Sequence, residues 1–175
     1  MTPTHLPGRT AIPSLPGQTR TPPSPTALDS FNSAPPDELR RALLTCLRSP
    51  RWAVRIAEHR PYPDADALLA ASDEAAYDLS PRELSEALAE EALPVLPRDT
   101  YSAAHTALGA AYAAYEARFG HGFVVCLDRL PHTEHLDHVL AGIRSRLAND
   151  PEEERVLAAE ELRRLAKGRL LARLT

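Results

Sequence analysis

Apolar residues recur every three or four positions over much of the chain, the spacing that places side chains on one face of a helix. The clearest series precedes Gly120 and Gly122, and the apolar run Phe123-Val124-Val125 follows at once. Either glycine can take the left-handed conformation that ends a helix. We therefore predict a long helix facing a core, then buried extended backbone forming a wall of a small-molecule site. The helical series is Tyr101, Ala104, Leu108, Ala111, Tyr112, Tyr115 and Phe119.

Prolines and capping residues mark the starts of the other predicted helices. Ser80-Pro81-Arg82-Glu83 places a hydroxyl cap, a proline and a glutamate as a capping box requires. Ser49-Pro50 has the same cap and proline, and Asp64 or Asp66 can cap the next helix. No alternating strand pattern of useful length is present, so we predict an all-α, single-domain bundle of seven to eight helices. Further starts are predicted at Pro36, at Asp99 or Thr100, at 131–133 and at Asn149-Asp150.

The first thirty residues differ in composition from the rest. They contain seven prolines with scattered serine, threonine and glycine and almost no large apolar side chains. Such a segment cannot bury enough apolar surface to remain folded. We predict a disordered proline-rich tail over residues 1–30 and one helical domain over residues 31–175.

Composition excludes several classes of function. The 175 residues carry a net charge of -4, so the basic face that phosphate recognition needs is not expected, and we predict no nucleic-acid partner. No apolar run is long enough to span a membrane, and no secretory signal is visible. We predict no membrane association and a cytoplasmic location. Cys46 and Cys126 lie in apolar surroundings and are predicted to be buried free thiols.

The histidines and one arginine are the candidates for chemistry. His132, His135 and His138 are three residues apart, but each such step turns a helix by about 60°, so the three side chains fan out. We expect a solvated face there, no metal site, and exposed positions for the isolated His105 and His121. Arg169 follows Leu162 and Leu165 on the apolar face of the last predicted helix. An arginine there either reaches past the apolar face to solvent or holds an anion.

Six short motifs, in order over residues 31–174, resemble the family of 2-oxo-4-hydroxy-4-carboxy-5-ureidoimidazoline (OHCU) decarboxylases. Each motif is short, and their order is what makes the resemblance specific. They are Phe31-Asn32, Ser49-Pro50-Arg51-Trp52, Arg60-Pro61-Tyr62, Tyr115 to Gly120 with Phe123-Val124-Val125, Arg146-Leu147-Ala148-Asn149, and Arg169-Leu170.

The resemblance implies an all-helical enzyme of urate breakdown, without cofactor and dimeric, that acts on a small anionic ureidoimidazoline to give (S)-allantoin. It assigns substrate binding to Arg169, Phe123 and Val124. Glu91 falls at the position of the family's catalytic histidine, and the family's His-Pro-Arg-Ile-Gly motif and catalytic glutamate are not matched. A carboxylate about 4 Å from the substrate carboxylate would oppose binding by about 4 kcal/mol at an effective dielectric of about 20. We therefore expect Glu91 to be a surface residue at a helix end.

Two functions stay open from the sequence. The first is a divergent decarboxylase that binds its substrate through Arg169 and draws on a displaced group such as His105 or His121. The second is a non-catalytic relative, a helical module that binds small anions or another protein. The loss of the histidine and glutamate favours the second, and the family motifs favour the first.

Overall fold

A computed structural model of the chain describes residues 25–94 and 102–175, with side chains described from residue 106 onward in the second range. These ranges contain eight α-helices, one short 3-10 turn and no strand, which confirms the all-α prediction. The helices are α1 Ala27–Ser33, α2 Pro36–Cys46, α3 Pro50–Glu58, α4 Ala65–Tyr77, α5 Pro81–Ala89, α6 Ser102–Phe119, α7 His135–Arg146 and α8 Pro151–Leu174, and the 3-10 turn is His132–Glu134.

The predicted helix starts agree with the observed caps. Ser80 accepts the backbone N–H of Glu83 and closes the predicted capping box. Ser49 caps α3, and of the two candidates for α4 it is Asp64 that accepts the N–H of Ala67, at 2.8 Å. Asp150 caps α8 in a capping box with Glu153. The start predicted at Asp99 or Thr100 lies outside the described residues.

Helix α1 was not predicted. The Arg60-Pro61-Tyr62 segment holds it in place: Arg60 Nη1 donates to the carbonyl of Ala34 at 2.8 Å, and Asn32 exchanges two hydrogen bonds with the backbone of Tyr62. Two of the family-like motifs therefore meet at one contact. The boundary drawn between residues 30 and 31 falls inside α1, and residues 1–24 lie outside the described residues, so the tail remains a prediction.

Helix α8 is the centre of the bundle. It packs against α1, α2, α4 and α5, and its buried side chains recur every four residues. They form the first core cluster with the apolar faces of α2 to α5. A second cluster joins α6, α7 and the apolar segment between them. Helix α8 leaves Val156 62% exposed. Its buried set is Glu154, Ala158, Leu162, Ala166 and Leu170.

The segment after α6 joins the two clusters. Gly120 has φ of 78° and ends the helix, which fits one of the two glycines predicted for this role. Phe123 and Val125 then belong to the second cluster, whereas Val124 between them belongs to the first. Successive side chains that point in opposite directions are typical of extended backbone. The segment is thus packed on both sides.

The two cysteines were predicted to be buried free thiols. Both cysteines are free; Cys46 is fully buried, but Cys126 is only half-buried. Burial raises the pKa of the Cys126 thiol, with the Asp128 carboxylate close by. Within the described ranges, no helix has the length and apolar character needed to cross a membrane.

Candidate functional site

A cavity of about 690 Å³ opens between the residues after α5, the segment after α6, the start of α7 and the last turns of α8. This volume falls within the range of about 300–1,000 Å³ that is typical of small-molecule sites. Its walls combine apolar side chains with one arginine, one aspartate and two histidines. They are formed by Ala92, Leu93, Pro94, Val125, Leu127, Asp128, Leu130, His132, His135, Leu165, Gly168, Arg169 and Ala172.

Arg169 enters this cavity from α8 as half of an ion pair. Its Nη2 donates to Glu91 Oε1 at 2.7 Å, and its Nη1 donates to Glu91 Oε2 at 3.1 Å and to the carbonyl of Cys46 at 3.0 Å. The hydrogen bond and charge of Glu91 raise the pKa of Arg169 above its usual range. The guanidinium is therefore charged and fixed in two directions, and 35% of the side chain stays exposed.

The expectation that Glu91 lies on the surface was wrong. Helix α5 ends at Ala89, and the next turn directs the Glu91 side chain inward, where it is 2% exposed. A carboxylate can be buried in this way because a bidentate arginine compensates for its lost hydration. The structure thus brings Glu91, which the resemblance places at the position of the family histidine, next to Arg169, which the resemblance assigns to the substrate.

The glycine turn lies close to the same pair. A Cβ added at Gly122 would lie 3.3 Å from Leu93 and 3.9 Å from the carbonyl oxygen of Glu91. The chain after α5 and the chain after α6 therefore run in close contact. This contact places the predicted wall beside Arg169.

Asp128 adds a second carboxylate to the cavity. It lies against α8 at Gly168, where a Cβ would collide with its Oδ2, so only glycine lets the carboxylate approach the helix. Its charge contributes to the raised pKa of Arg169. With neutral histidines, Glu91 and Asp128 outweigh Arg169 by one negative charge. A bound anion would therefore compete with carboxylates that the chain itself supplies.

Two histidines line the side of the cavity formed by the start of α7. The rings of His132 and His135 meet edge to face at 4.8 Å between centroids. His135 is 6% exposed, which corrects the expectation of a solvated face, whereas His138 is exposed as predicted. His135 Nε2 lies 3.0 Å from the carbonyl of Leu130, and its buried Nδ1 has no hydrogen-bond partner. The residues that the structure describes contain no group of three or more His, Cys, Asp or Glu that could hold a metal ion.

Phe123 and Val124 lie behind the cavity wall. Both side chains are 1% exposed, and Val125 is the member of the run that reaches the cavity. The carbonyl of Val124 accepts a hydrogen bond from Arg146 Nη1 at 2.7 Å, and the same guanidinium lies 4.5 Å from the Phe123 ring centroid. These two residues therefore set the position of the wall from within the core.

A buried charged cluster fixes that arginine. The carboxylate of Glu154, fully buried at the start of α8, accepts hydrogen bonds from Arg146 Nε at 2.7 Å, from Asn149 at 2.9 Å and from the hydroxyl of Tyr115. Burial and the bond to Glu154 raise the pKa of Tyr115. The cluster joins α6, α7 and α8 to the wall. It explains why the Arg146-Leu147-Ala148-Asn149 motif and the acidic residues after it occur together.

The remaining candidates lie elsewhere. His121 stacks edge to face with Tyr115 at 5.6 Å between centroids and does not line the cavity. The side chain of His105 lies outside the described residues. Sequence reasoning missed Asp128 and wrongly assigned His135 to a solvated face. His135 had a detectable signal, because it precedes the buried Val139 and Ile143 at regular steps of four residues.

The fold and the cavity define a class of protein: an all-α bundle whose last helix presents a paired arginine to a half-open cavity. The family model of OHCU decarboxylase matches residues 32–98 and 95–171, which together are most of the chain. The chain belongs to the OHCU decarboxylase family.

Solved structures support the fold. The crystal structure of an (S)-allantoin synthase is similar over 86% of this chain, with a TM-score of 0.71 and 20% sequence identity, and this chain spans 54% of that protein's length. The crystal structure of an OHCU decarboxylase in the presence of (S)-allantoin is similar over 74% of this chain and 94% of that one, with a TM-score of 0.63 and 19% identity. The search of curated proteins found no match.

Proposed function

We propose that this chain is a divergent OHCU decarboxylase of purine catabolism, which converts OHCU to (S)-allantoin and carbon dioxide. Membership of the family supports a decarboxylase-like function. The observation that carries the proposal is the position of Arg169: the arginine that the resemblance assigns to the substrate lines a cavity of about 690 Å³. A guanidinium that lines a cavity is suited to a planar carboxylate.

Arg169 performs two roles in this proposal. In the free protein Glu91 holds the guanidinium through two hydrogen bonds, so the arginine is already oriented. The substrate carboxylate then accepts hydrogen bonds from some of the Arg169 N–H groups, on the exposed side of the guanidinium. Binding is weaker than it would be to an unpaired arginine, because two carboxylates share one positive charge.

The other predicted properties belong to the same proposal. Phe123 and Val124 contribute to substrate binding through the wall that they position, and Val125 and Leu127 contact the ligand. The reaction uses no cofactor, since the lost carboxylate leaves its electron pair in the conjugated ring. The proposal also includes a helical domain that begins with α1 at Ala27, a proline-rich tail before it, a homodimer and a cytoplasmic location.

A non-catalytic relative is the second candidate, and one observation favours it. Glu91 stands at the position of the family's histidine, and it pairs with Arg169 instead of transferring a proton. A chain that had lost the reaction and kept the cavity would be expected to stabilise itself in this way. Such a protein would bind small ligands without converting them.

Optical activity separates the two. The purified full-length protein is added to freshly made product of urate oxidation, and circular dichroism follows the allantoin that forms. One-handed (S)-allantoin, produced faster than the spontaneous reaction, supports the enzyme. Racemic allantoin at the spontaneous rate contradicts it and leaves the binding module.

A matched pair of variants locates the site. Arg169→Ala should abolish most of the activity, and Arg173→Ala, one turn later on α8 and outside the cavity, should leave it unchanged. Equal kinetics of the two variants would remove Arg169 from the site. A thermal melt of each variant checks that it is folded.

A further inference from the structure

We propose that Asp128 determines which carboxylates bind in this cavity, by selecting those that also carry a ureido group. The inference deepens the proposed function and rests on it for the role of Arg169, which binds the carboxylate of the ligand. Asp128 is then the second polar contact of the ligand, and it accepts hydrogen bonds from the ureido N–H groups.

The fold holds the Asp128 carboxylate at the cavity wall. Asp128, Gly168 and Arg169 all line the cavity, and the Asp128 side chain lies against α8 at Gly168. A Cβ on residue 168 would collide with Asp128 Oδ2, so the carboxylate oxygen occupies the space that any other side chain would fill. The carboxylate therefore lies at the helix position that directly precedes Arg169.

The Asp128 carboxylate is available to a ligand. The residue is exposed, and no lysine or arginine among the described residues forms an ion pair with it. The Cys126 thiol lies close by, but a thiol is a weak donor. Glu91, in contrast, is 2% exposed and accepts two hydrogen bonds from Arg169. Of the two carboxylates, Asp128 is the one that can accept hydrogen bonds from a ligand.

The charge of the cavity indicates which ligands it suits. Glu91 pairs with Arg169, so Asp128 gives the cavity an excess negative charge when its histidines are neutral. This charge repels a ligand that offers only a carboxylate. A ligand with N–H donors at its other end gains charge-assisted hydrogen bonds from the same group. Asp128 thus disfavours one class of carboxylate and favours the other, as a specificity residue does.

A ureido group matches a carboxylate in shape. Its planar –NH–CO–NH₂ unit directs one N–H from each nitrogen to the same side, so it can donate two parallel hydrogen bonds, as a guanidinium does. The proposed substrate carries both a carboxylate and a ureido group. Arg169 and Asp128 are near enough to interact, since the charge of Asp128 contributes to the raised pKa of Arg169. A ligand bound by both residues is held in one orientation.

Isothermal titration of the full-length protein with N-carbamoylglycine and N-acetylglycine tests the inference. The two carboxylates differ in one group, an NH₂ in the first and a methyl in the second, so only the first carries a ureido group. A hydrogen bond to a charged group favours binding by about 10-fold or more. The wild type should therefore bind N-carbamoylglycine about 10-fold more tightly than N-acetylglycine.

Asp128→Asn should remove this preference. An amide has one acceptor oxygen and no charge, so the ratio of the two Kd values falls towards about 1, and N-acetylglycine binds more tightly than to the wild type. The matched control is Asp137→Asn, which removes the same charge from an exposed position of α7 outside the cavity and should keep the wild-type ratio. In the decarboxylase assay, Asp128→Asn should raise KM about 10-fold and change kcat less.

The result separates this inference from the proposed function. Equal Kd values of the two compounds for the wild type, no binding of N-carbamoylglycine, or an unchanged ratio in Asp128→Asn overturns the inference, whereas (S)-allantoin formation by the wild type still supports the enzyme. Selection of N-carbamoylglycine through Asp128 without (S)-allantoin formation supports the inference and contradicts the decarboxylase. Thermal melts check that the variants are folded, and if Asp128→Asn is not, the wild-type ratio decides.

Discussion

Replacing Glu91 by glutamine should make this protein bind small carboxylates more tightly. Glutamine has nearly the same shape and keeps an oxygen that can accept a hydrogen bond from Arg169, but it carries no charge. The substitution therefore removes the carboxylate that competes with a ligand and leaves the guanidinium oriented. Few single substitutions in an enzyme-like site are expected to improve ligand binding, which makes the outcome informative.

The magnitude follows from the geometry of the pair. A ligand carboxylate about 4 Å from the Glu91 carboxylate is opposed by about 4 kcal/mol at an effective dielectric of about 20. Arg169 is 35% exposed, so solvent and salt screen part of this repulsion. We take about 1–2 kcal/mol as the net effect, which corresponds to a change in Kd of about 5–30-fold.

Isothermal titration with allantoate, a ureido carboxylate, measures the effect directly. The matched control is Glu90→Gln, because Glu90 is the exposed neighbour at the end of α5. Tighter binding by Glu91→Gln alone, with a difference that shrinks at high salt, is the expected result. If both variants bind like the wild type, Glu91 does not compete for Arg169, and the account of the site given above is wrong.

Four further substitutions test the packing of the helices. Gly168→Ala should lower the free energy of unfolding by about 1–3 kcal/mol, because the added Cβ collides with Asp128. Gly109→Ala, where an added Cβ has open space within a helix, should raise it by up to about 1 kcal/mol. Urea denaturation measures both variants. Burial raises the pKa of Tyr112 to about 12, so the neutral hydroxyl stabilises the fold below about pH 10 and that stability is lost as pH rises towards about 12. Tyr112→Phe should reduce the loss of stability at alkaline pH, to which the raised pKa values of Tyr62 and Tyr115 also contribute. Thermal melts about one pH unit apart over the range of about pH 9 to 12 measure this, and a profile like that of the wild type would contradict it. Glu154→Gln should lower the free energy of unfolding by about 3–5 kcal/mol, because the buried Arg146 loses its opposite charge. A loss below about 1 kcal/mol would show that the charged cluster does not stabilise the fold.

The helical starts show how far local sequence information reaches. A capping box such as that at Ser80 is satisfied within four residues, so its hydrogen bonds do not depend on the rest of the chain. The same holds for the glycine that ends α6. Helix α1 was missed even though Thr26 and Asp29 form a local capping box at its start. Only the tertiary structure shows that Arg60 holds the other end of this helix, through the carbonyl of Ala34.

The site depends on contacts between residues that are far apart in the sequence. Glu91 and Arg169 are 78 residues apart, and the pairing that buries the carboxylate appears only when the chain after α5 folds onto α8. From sequence, Glu91 is a charged residue after a helix, for which exposure is the usual outcome. His135 is a similar case, since its burial follows from the packing of α7 on α6.

The sequence by itself determined the all-α class, most helix starts, the turn after α6 and the arginine of the last helix, because periodicity and capping act over a few residues. The family also followed from the sequence, through short motifs in a fixed order. Only the tertiary structure decided that Glu91 pairs with Arg169, and that Phe123 and Val124 lie behind the cavity wall. It also decided that the buried Nδ1 of His135 has no hydrogen-bond partner. Burial and charge pairing depend on which distant segments meet, and no local pattern specifies that.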